Sequence, residues 1–355
     1  MIFKRLVTFK RLVTLMTIVF LVIGGILLQR HFVGAEGGRG GEQQVVVSVP
    51  SSPLVRSVQP SGATSPAIQF PTVDSRQLLR HIQGLNFVRY TPEARGTARK
   101  YIMQTLKAAG WQPKLQPFAS GVNVVAERPG TDPKAGAIVL GAHYDTVARS
   151  PGADDNGTGV AVVLEAARLL GARSTPRTLR LALFDREEVG LLGSLAYTAD
   201  RTALAGLEGA VIMDMVGFAC RTEGCQRYPD GLSVKPPSRR GDFLAIAGDQ
   251  EHLPLLAAFT QVTQSDLPPV LTLPVPFKGM LTPDLLRSDH APFWYQGIGA
   301  VIATDTANFR TPYYHQPGDR PSTLDPKFFT GSAQIIINAT TLLLEGRTSL
   351  TTTPN

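Results

Sequence analysis

Four short apolar runs, each ending in residues that bind metal or move protons, constrain this chain more than anything else in it. Ala137–Ala142 runs into His143-Tyr144-Asp145, and Leu179–Phe184 into Asp185-Arg186-Glu187-Glu188. Ala210–Met213 ends at Asp214, and Ile298–Ile302 leads through Ala303 to Asp305 and on to Tyr314-His315. Val/Ile/Leu-rich runs of this length between helical segments read as buried strands of a mostly parallel sheet. Ligands of open α/β sheets sit in the crevice outside the carboxyl ends of the strands. His, Asp and Glu at that end of run after run mark the crevice as a site.

The segments between the runs complete an alternating pattern. Asp74 or Ser75 can cap a helix carrying Leu78, Leu79, Ile82 and Leu85. A second helix covers about Pro92–Ala109 and stops at Gly110. Asn123–Glu127 reads as a strand, Thr158–Leu170 as a helix and Gly193–Asp200 as a shorter one. After a Gly/Pro/Arg-containing excursion over 216–241 come a strand at Phe243–Ala247, a helix at Leu253–Gln264 and a strand at Val270–Val275 interrupted by prolines. Pro326–Leu344 closes the pattern as a long helix. Alternating strands and helices predict an α/β fold, a three-layer α/β/α sandwich with a mixed, mostly parallel central sheet. One such domain spans 73–348, followed by a tail at 349–355.

The net charge of +7 misleads. Lys4, Arg5, Lys10, Arg11, Arg30 and Arg39 face only Glu36 in the first forty residues, so most of the excess sits there. A basic head beside an apolar stretch is a membrane-orientation signal, and the charge gives no support for nucleic-acid binding. Leu12–Leu28 is uncharged and apolar, about 17 residues, short for a spanning helix and long for a signal-peptide core. It reads as an amino-terminal membrane anchor or as a signal peptide cleaved after Ala35. Arg30 and His31, lying between core and cleavage site, favour the anchor. Either reading sends the remainder out of the cytoplasm. Residues 31–72, rich in Gly, Ser, Pro and Val, then form a flexible spacer. In an exported chain the close pair Cys220 and Cys225 suggests a local disulfide.

Each acidic or histidine motif is weak alone. In His143-x-Asp145, residues two apart on a strand share a face, and a metal-bound histidine usually gives its second ring proton to a carboxylate. Pro151-Gly152-Ala153-Asp154-Asp155-Asn156-Gly157 is a tight loop opening a helix; turn and cap chemistry explains it, and so does an aspartate shared by two ions. The neighbouring Glu187 and Glu188 cannot point the same way, so one can ligate while the other faces substrate. Asp214 between two methionines is costly if buried and unpaired. Tyr314, beside His315, can donate to an oxyanion.

Their order is specific. His-x-Asp, Gly-Ala-Asp-Asp-Asn-Gly, Glu-Glu-x-Gly-Leu-Leu-Gly-Ser, Asp-Met-Val-Gly and Tyr-His-x-Pro-x-Asp, spread over about residues 75–345, resemble the aminopeptidase Y-type di-zinc exopeptidases. Plasma glutamate carboxypeptidase-like enzymes belong to the same family. The resemblance implies a zinc-dependent metallo-exopeptidase, most simply an aminopeptidase acting on a peptide or amino-acyl substrate. It implies two Zn2+ ions, one held by His143, Asp155 and Asp214 and the other by Asp155, Glu188 and His315, with Asp155 rather than Asp154 as the bridge. Glu187 matches the general base, Asp145 the partner of the first histidine, and the Asp155–Asn156 peptide is expected in cis. Ser288-Asp289-His290 matches a segment near the substrate pocket, and His290 competes with His315 as a ligand. Three other readings share the resemblance. A glutaminyl cyclase-like acyltransferase uses the fold with a single zinc. A transferrin receptor-like ectodomain has lost ligands, which are all present here. A carboxypeptidase for acidic dipeptides needs a basic pocket, for which Arg287, Arg310 and Lys278 are the candidates.

Overall fold

Strand β3 (Ala137–His143) is buried along its whole length, as a strand covered on both faces must be. In the computed structural model, which describes residues 68–229 and 238–352, it lies at the centre of an eight-stranded sheet. The other strands are β1 (Lys114–Phe118), β2 (Gly121–Arg128), β4 (Thr178–Phe184), β5 (Leu207–Met213), β6 (Leu244–Asp249), β7 (Val270–Val275) and β8 (Ala300–Thr304), in the order β1-β2-β4-β3-β5-β8-β6-β7. The four strands β4, β3, β5 and β8 run parallel; β1 and β2 at one side, and the β6–β7 pair at the other, join them antiparallel. The expected mixed, mostly parallel sheet is therefore present.

The helices start where the sequence offers caps. Asp74, Thr91, Asn156 and Asp325 each accept a first-turn amide from α1 (Ser75–Gly84), α2 (Pro92–Ala108), α3 (Gly157–Leu170) and α6 (Pro326–Glu345). Helices α4 (Leu192–Ala199) and α5 (Leu253–Gln261) lie between them in sequence. Alternate strand residues feed two cores. Ile138, Leu140, Leu181, Val211 and Ile246 pack under α1, α2, α3, α5 and α6. Val139, Ala182, Phe184 and Ile212 face the other way, onto Tyr197 of α4 and onto Phe293 and Trp294 of a short helix at Ala291–Tyr295.

Several expectations shift in detail. Strand β1 was not anticipated, and β7 runs unbroken through Pro274 at the edge of the sheet, where a missing amide costs little. Packing begins before residue 73 and continues beyond 348. Arg173 donates to Gln69 O, Gln334 to Pro71 O, and Thr352 N to Glu251 O, while Leu350 is buried. Cys220 and Cys225 are joined in a disulfide. The anchor or signal segment (1–30) and most of the spacer lie outside the described residues. Among the described residues no helix is long and apolar enough to cross a membrane.

Candidate active site

The crevice forms where the chain leaves β3 for β4 on one side and, later, for β5 on the other. His143 ends β3, Asp214 follows β5, Glu187 and Glu188 follow β4, and the acidic loop 151–156 rises to meet them. That loop turns at Gly152, whose φ of +62° suits glycine and where a Cβ would lie 2.2 Å from Asp155 O. The Asp155–Asn156 peptide is cis. Asn156 then ties the loop to the end of β5: its amide donates to Met213 O at 2.8 Å, and its oxygen accepts from Met215 N at 3.3 Å.

The two adjacent aspartates have different surroundings. Asp154 turns away and accepts from Thr158 Oγ1 and Gly217 N, both at 2.9 Å. It also faces Asp305, which accepts the amides of Phe218 and Ala307. Burial, then the neighbouring Asp305, pushes the Asp154 carboxyl well above its usual range. Asp155 turns inward. Its Oδ1 lies 3.4 Å from His143 Nε2, and its Oδ2 lies 3.3 Å from His315 Nε2. One carboxylate thus faces two imidazoles with different oxygens.

Each imidazole has further acidic neighbours. Glu188 Oε2 is 3.0 Å from His315 Nε2. Asp214 Oδ1 and Glu187 Oε2 stand 3.8 and 3.9 Å from His143 Nε2. The potential ligand atoms fall into two sets, His143 with Glu187 and Asp214, and Asp155 with Glu188 and His315, each set within 4.8 Å. The resemblance puts Asp155 rather than Glu187 beside His143 and Asp214; the 3.4 Å approach of Asp155 Oδ1 allows that, and Asp155 then serves both sets. Asp145 sits beneath. Its Oδ1 is 3.5 Å from His143 Nδ1, and it accepts the amides of Glu187 and Glu188 at 3.0 and 3.3 Å. It therefore faces the histidine's Nδ1 and holds the glutamate turn together.

The electrostatics call for cations. Burial lifts Glu188, with Asp155 adding to the effect, to about 7. Burial likewise raises Glu187 well above the usual carboxylate range, and Asp214, Asp289 and Glu188 add to it against the pull of His143. Burial lowers His315, but the neighbouring Asp155 and Glu188 carboxylates outweigh this and push it up to about 10. Asp155 Oδ2 and Glu188 Oε1 are buried without a hydrogen-bond partner. Orphaned carboxylate oxygens among histidine nitrogens are the donor set zinc favours. Divalent charge would reverse the sign of these shifts. The residues fit a zinc pair.

Tyr314 stacks on His315 with ring centroids 3.8 Å apart. Arg287 Nη2 donates to its hydroxyl oxygen at 3.0 Å, which leaves the phenolic proton free to be given away. His290, the competing ligand, is turned elsewhere. Its Nε2 lies 2.8 Å from Leu285 O and its ring stands edge-on to Trp294. Of the three cations considered for an acid-binding pocket, Arg310 is spent on Gln226 Oε1, Phe218 O and Phe243 O. Lys278 is held by Asp249 and Glu251. Arg287 alone of the three lines the cavity, and Asp284 opposes its charge at 3.2 Å. Asp185, also at a strand end, is not part of the cluster and pairs with Arg95 at 2.8 Å.

Two supporting residues escaped sequence reasoning. Arg89 is fully buried and donates to the carbonyls of Tyr144, Leu85, Pro151 and Gly152, which pins the acidic loop to β3. Asp319 accepts from Asp154 N at 2.8 Å and Asp155 N at 3.0 Å. The only signal for Asp319 was its place at the end of the Tyr-His-x-Pro-x-Asp motif. Asp319→Asn puts an amide NH2 against one of those two donors. It is expected to weaken zinc binding by roughly 10–100-fold, as loss of an outer-shell partner does, with the fold retained. Competition against a fluorescent chelator measures this, and an unchanged affinity would remove Asp319 from the support of the site.

A model of peptidase family M28 matches residues 123–340, from β2 through most of α6. Among curated proteins, the chain is 30% identical over 270 residues to the uncharacterized protein YfbL of Escherichia coli, covering 70% of this chain and 79% of that one. It is 42% identical to aminopeptidase YwaD of Bacillus subtilis over 83 residues, 22% of this chain and 18% of that protein. The fold is also that of the Legionella LapA crystal structure, with a TM-score of 0.60 at 19% identity over 77% of this chain and 74% of that one. A family match that takes in β3, the acidic loop, the glutamate turn and the Tyr-His loop alike places the chain in peptidase family M28, and the protein is a zinc metallopeptidase.

Proposed function

We propose that the enzyme is an aminopeptidase that uses two zinc ions, with Glu187 as general base. The observation that carries this reading is Asp155, whose two oxygens approach His143 and His315 at 3.4 and 3.3 Å. His143, Asp155 and Asp214 would hold one ion, and Asp155, Glu188 and His315 the other. When bound, such a pair supplies Lewis acidity, bringing the pKa of a water toward about 7 and polarising the scissile carbonyl.

The chain's own residues supply the rest. Glu187 lies in the crevice with its backbone amide held by Asp145, which fixes the turn from which its carboxylate extends. It takes the proton of the attacking water and returns it to the leaving amine. Burial raises the Tyr314 hydroxyl well above its usual range, so it stays protonated and donates to the oxyanion. The carboxylates that face the crevice favour a substrate's free ammonium group, which supports cleavage at the amino terminus. The short match to aminopeptidase YwaD supports the same reading.

The test is a screen of aminoacyl and amino-blocked amides, dipeptides and amino-terminal Gln peptides with the zinc-loaded protein, repeated after chelation. Cleavage of free aminoacyl amides, lost on chelation and regained with zinc, is expected. Exclusive release of pyroglutamyl peptides would make the protein a cyclase, and no turnover of any substrate would leave a receptor-like ectodomain.

A further inference from the structure

Single exposed apolar side chains need no explanation, but one group of them here does. Phe277, Met280 and Leu281 are 68, 75 and 70% exposed, more than any other large apolar side chain among the described residues, and they fall within one short stretch just after β7. This stretch is not a loose loop. Phe277 and Lys278 both take left-handed backbone angles, with φ of +50° and +49°, a costly conformation for bulky residues. Met280 N donates to Phe277 O, and Thr282 N to Gly279 O, which closes the turn. Beneath it the Lys278 ammonium donates to Asp249 at 3.3 Å and to Glu251, and Asp249 also accepts Ala300 N at the start of β8. A pinned and strained turn thus holds three bulky apolar side chains out in solvent.

Strand direction places this tip. The parallel strands β3, β4, β5 and β8 carry the crevice at their carboxyl ends. Strand β6 runs antiparallel to β8, and β7 parallel to β6, so Asp249, Val275 and the tip that follows lie at the opposite edge of the sheet. The first described residues lie at that same edge. Helices α3 and α6 both start beside the crevice, α3 from Asn156 and α6 from Asp325, whose amide donates to Gly217 O, and both run away from it. At their far ends Arg173 pairs with Glu345 at 2.8 Å and donates to Gln69 O at 2.7 Å. Further toward the amino terminus comes the apolar run Leu12–Leu28, which reads as a membrane anchor. The intervening residues 29–67 can span at most roughly 130 Å, so an anchor alone would not decide which face of the domain meets the bilayer.

We propose that Phe277, Met280 and Leu281 form a wedge that enters the interfacial layer of a phospholipid bilayer, and that the domain rests on the membrane with its crevice turned away, toward soluble substrate. Lipid is the occupant because the chain that leads to the anchor leaves the domain at the edge that carries the wedge. Each such side chain, fully immersed, is worth at least about tenfold in partitioning. That is weak binding for a free domain, but a tether that keeps the wedge near the surface makes weak binding sufficient. This contact is independent of which bond the enzyme cleaves.

The experiment uses the full chain reconstituted into phosphatidylcholine vesicles, with or without bromine near the top of one acyl chain, and reads tryptophan fluorescence. The native Trp111 and Trp294 are buried and give a constant background. In brominated vesicles the indole introduced by Phe277→Trp is expected to lose about half its emission, as one held roughly 5–10 Å into the headgroup and acyl boundary would. One introduced by Ala148→Trp, exposed in the loop beyond β3 at the crevice end, is expected to lose none. Adding Met280→Ser and Leu281→Ser to Phe277→Trp should remove at least half of the quenching; both side chains are exposed, so the fold is expected to persist, as circular dichroism checks. Quenching that is no greater for Phe277→Trp than for Ala148→Trp, or that the serine pair leaves unchanged, overturns the wedge. A full chain that does not stay with the vesicles overturns it too, since the tether is part of it. Sedimentation in detergent is expected to show a monomer; a dimer that the serine pair dissociates would make the patch an interface between two copies of this chain and overturn the membrane contact.

Discussion

Glu187→Gln should lower kcat by a factor between about a hundred and ten thousand, the range that a positioned general base supplies, while zinc content and thermal stability stay at wild-type values. Position sets Glu187 apart. Glu187 stands 3.9 Å from His143 Nε2, farther than Asp155 at 3.4 Å, and the proposed ligand sets, with Asp155 in both, do not need it. Its backbone is anchored independently through Asp145, so the amide isostere leaves the turn undisturbed. What the substitution removes is the ability to accept a proton. Retained activity within about tenfold of wild type would take Glu187 out of the role of base, because water alone could not account for it. Loss of zinc in the same variant would instead make Glu187 a ligand.

Asp155→Ala should have the larger effect on metal. A bridging carboxylate is the one side chain whose removal weakens both ions together. Each site is then left with one histidine and one carboxylate, against the three protein ligands usual for a catalytic zinc. Zinc content is expected to fall below one ion per chain and turnover to fall below detection. Asp214→Ala and Glu188→Ala serve as the comparison, since each should cost chiefly one ion. The fold should persist, because the Asp155 side chain has no hydrogen bond that organises the core and its amide still donates to Asp319. If Asp155→Ala lost no more metal than the two single-site variants, the carboxylate would not be shared.

Much of this site was legible before any coordinates, for a physical reason. A parallel strand buried on both faces must be apolar, so the first charged residue after it marks the strand end, and strand ends are where such sheets bind ligands. That logic brought His143, Glu187 and Asp214 together from three distant parts of the chain. It failed where the determinant is not periodic. Asp185 and Asp305 also follow apolar runs, yet the first pairs with Arg95 and the second with Asp154, and nothing in their spacing announces it. Asp154 and Asp155 are indistinguishable by composition; the turn at Gly152 and the Asn156 bonds decide which one faces inward. Strand β1 went unseen because it is a short edge segment containing Pro117, with little of the apolar alternation that identifies a strand. Which residues of β6, β7 and β8 stand opposite one another was likewise hidden, because register is a property of pairing that one strand's sequence does not carry.

The central claim is that His143, Asp155, Glu188, Asp214 and His315 hold a pair of zinc ions around one shared carboxylate. Elemental analysis of the wild-type protein, purified without chelator, supplied with zinc and freed of excess by gel filtration, tests it most directly. Two zinc ions per chain are expected. A folded protein that retains one ion or none would contradict it.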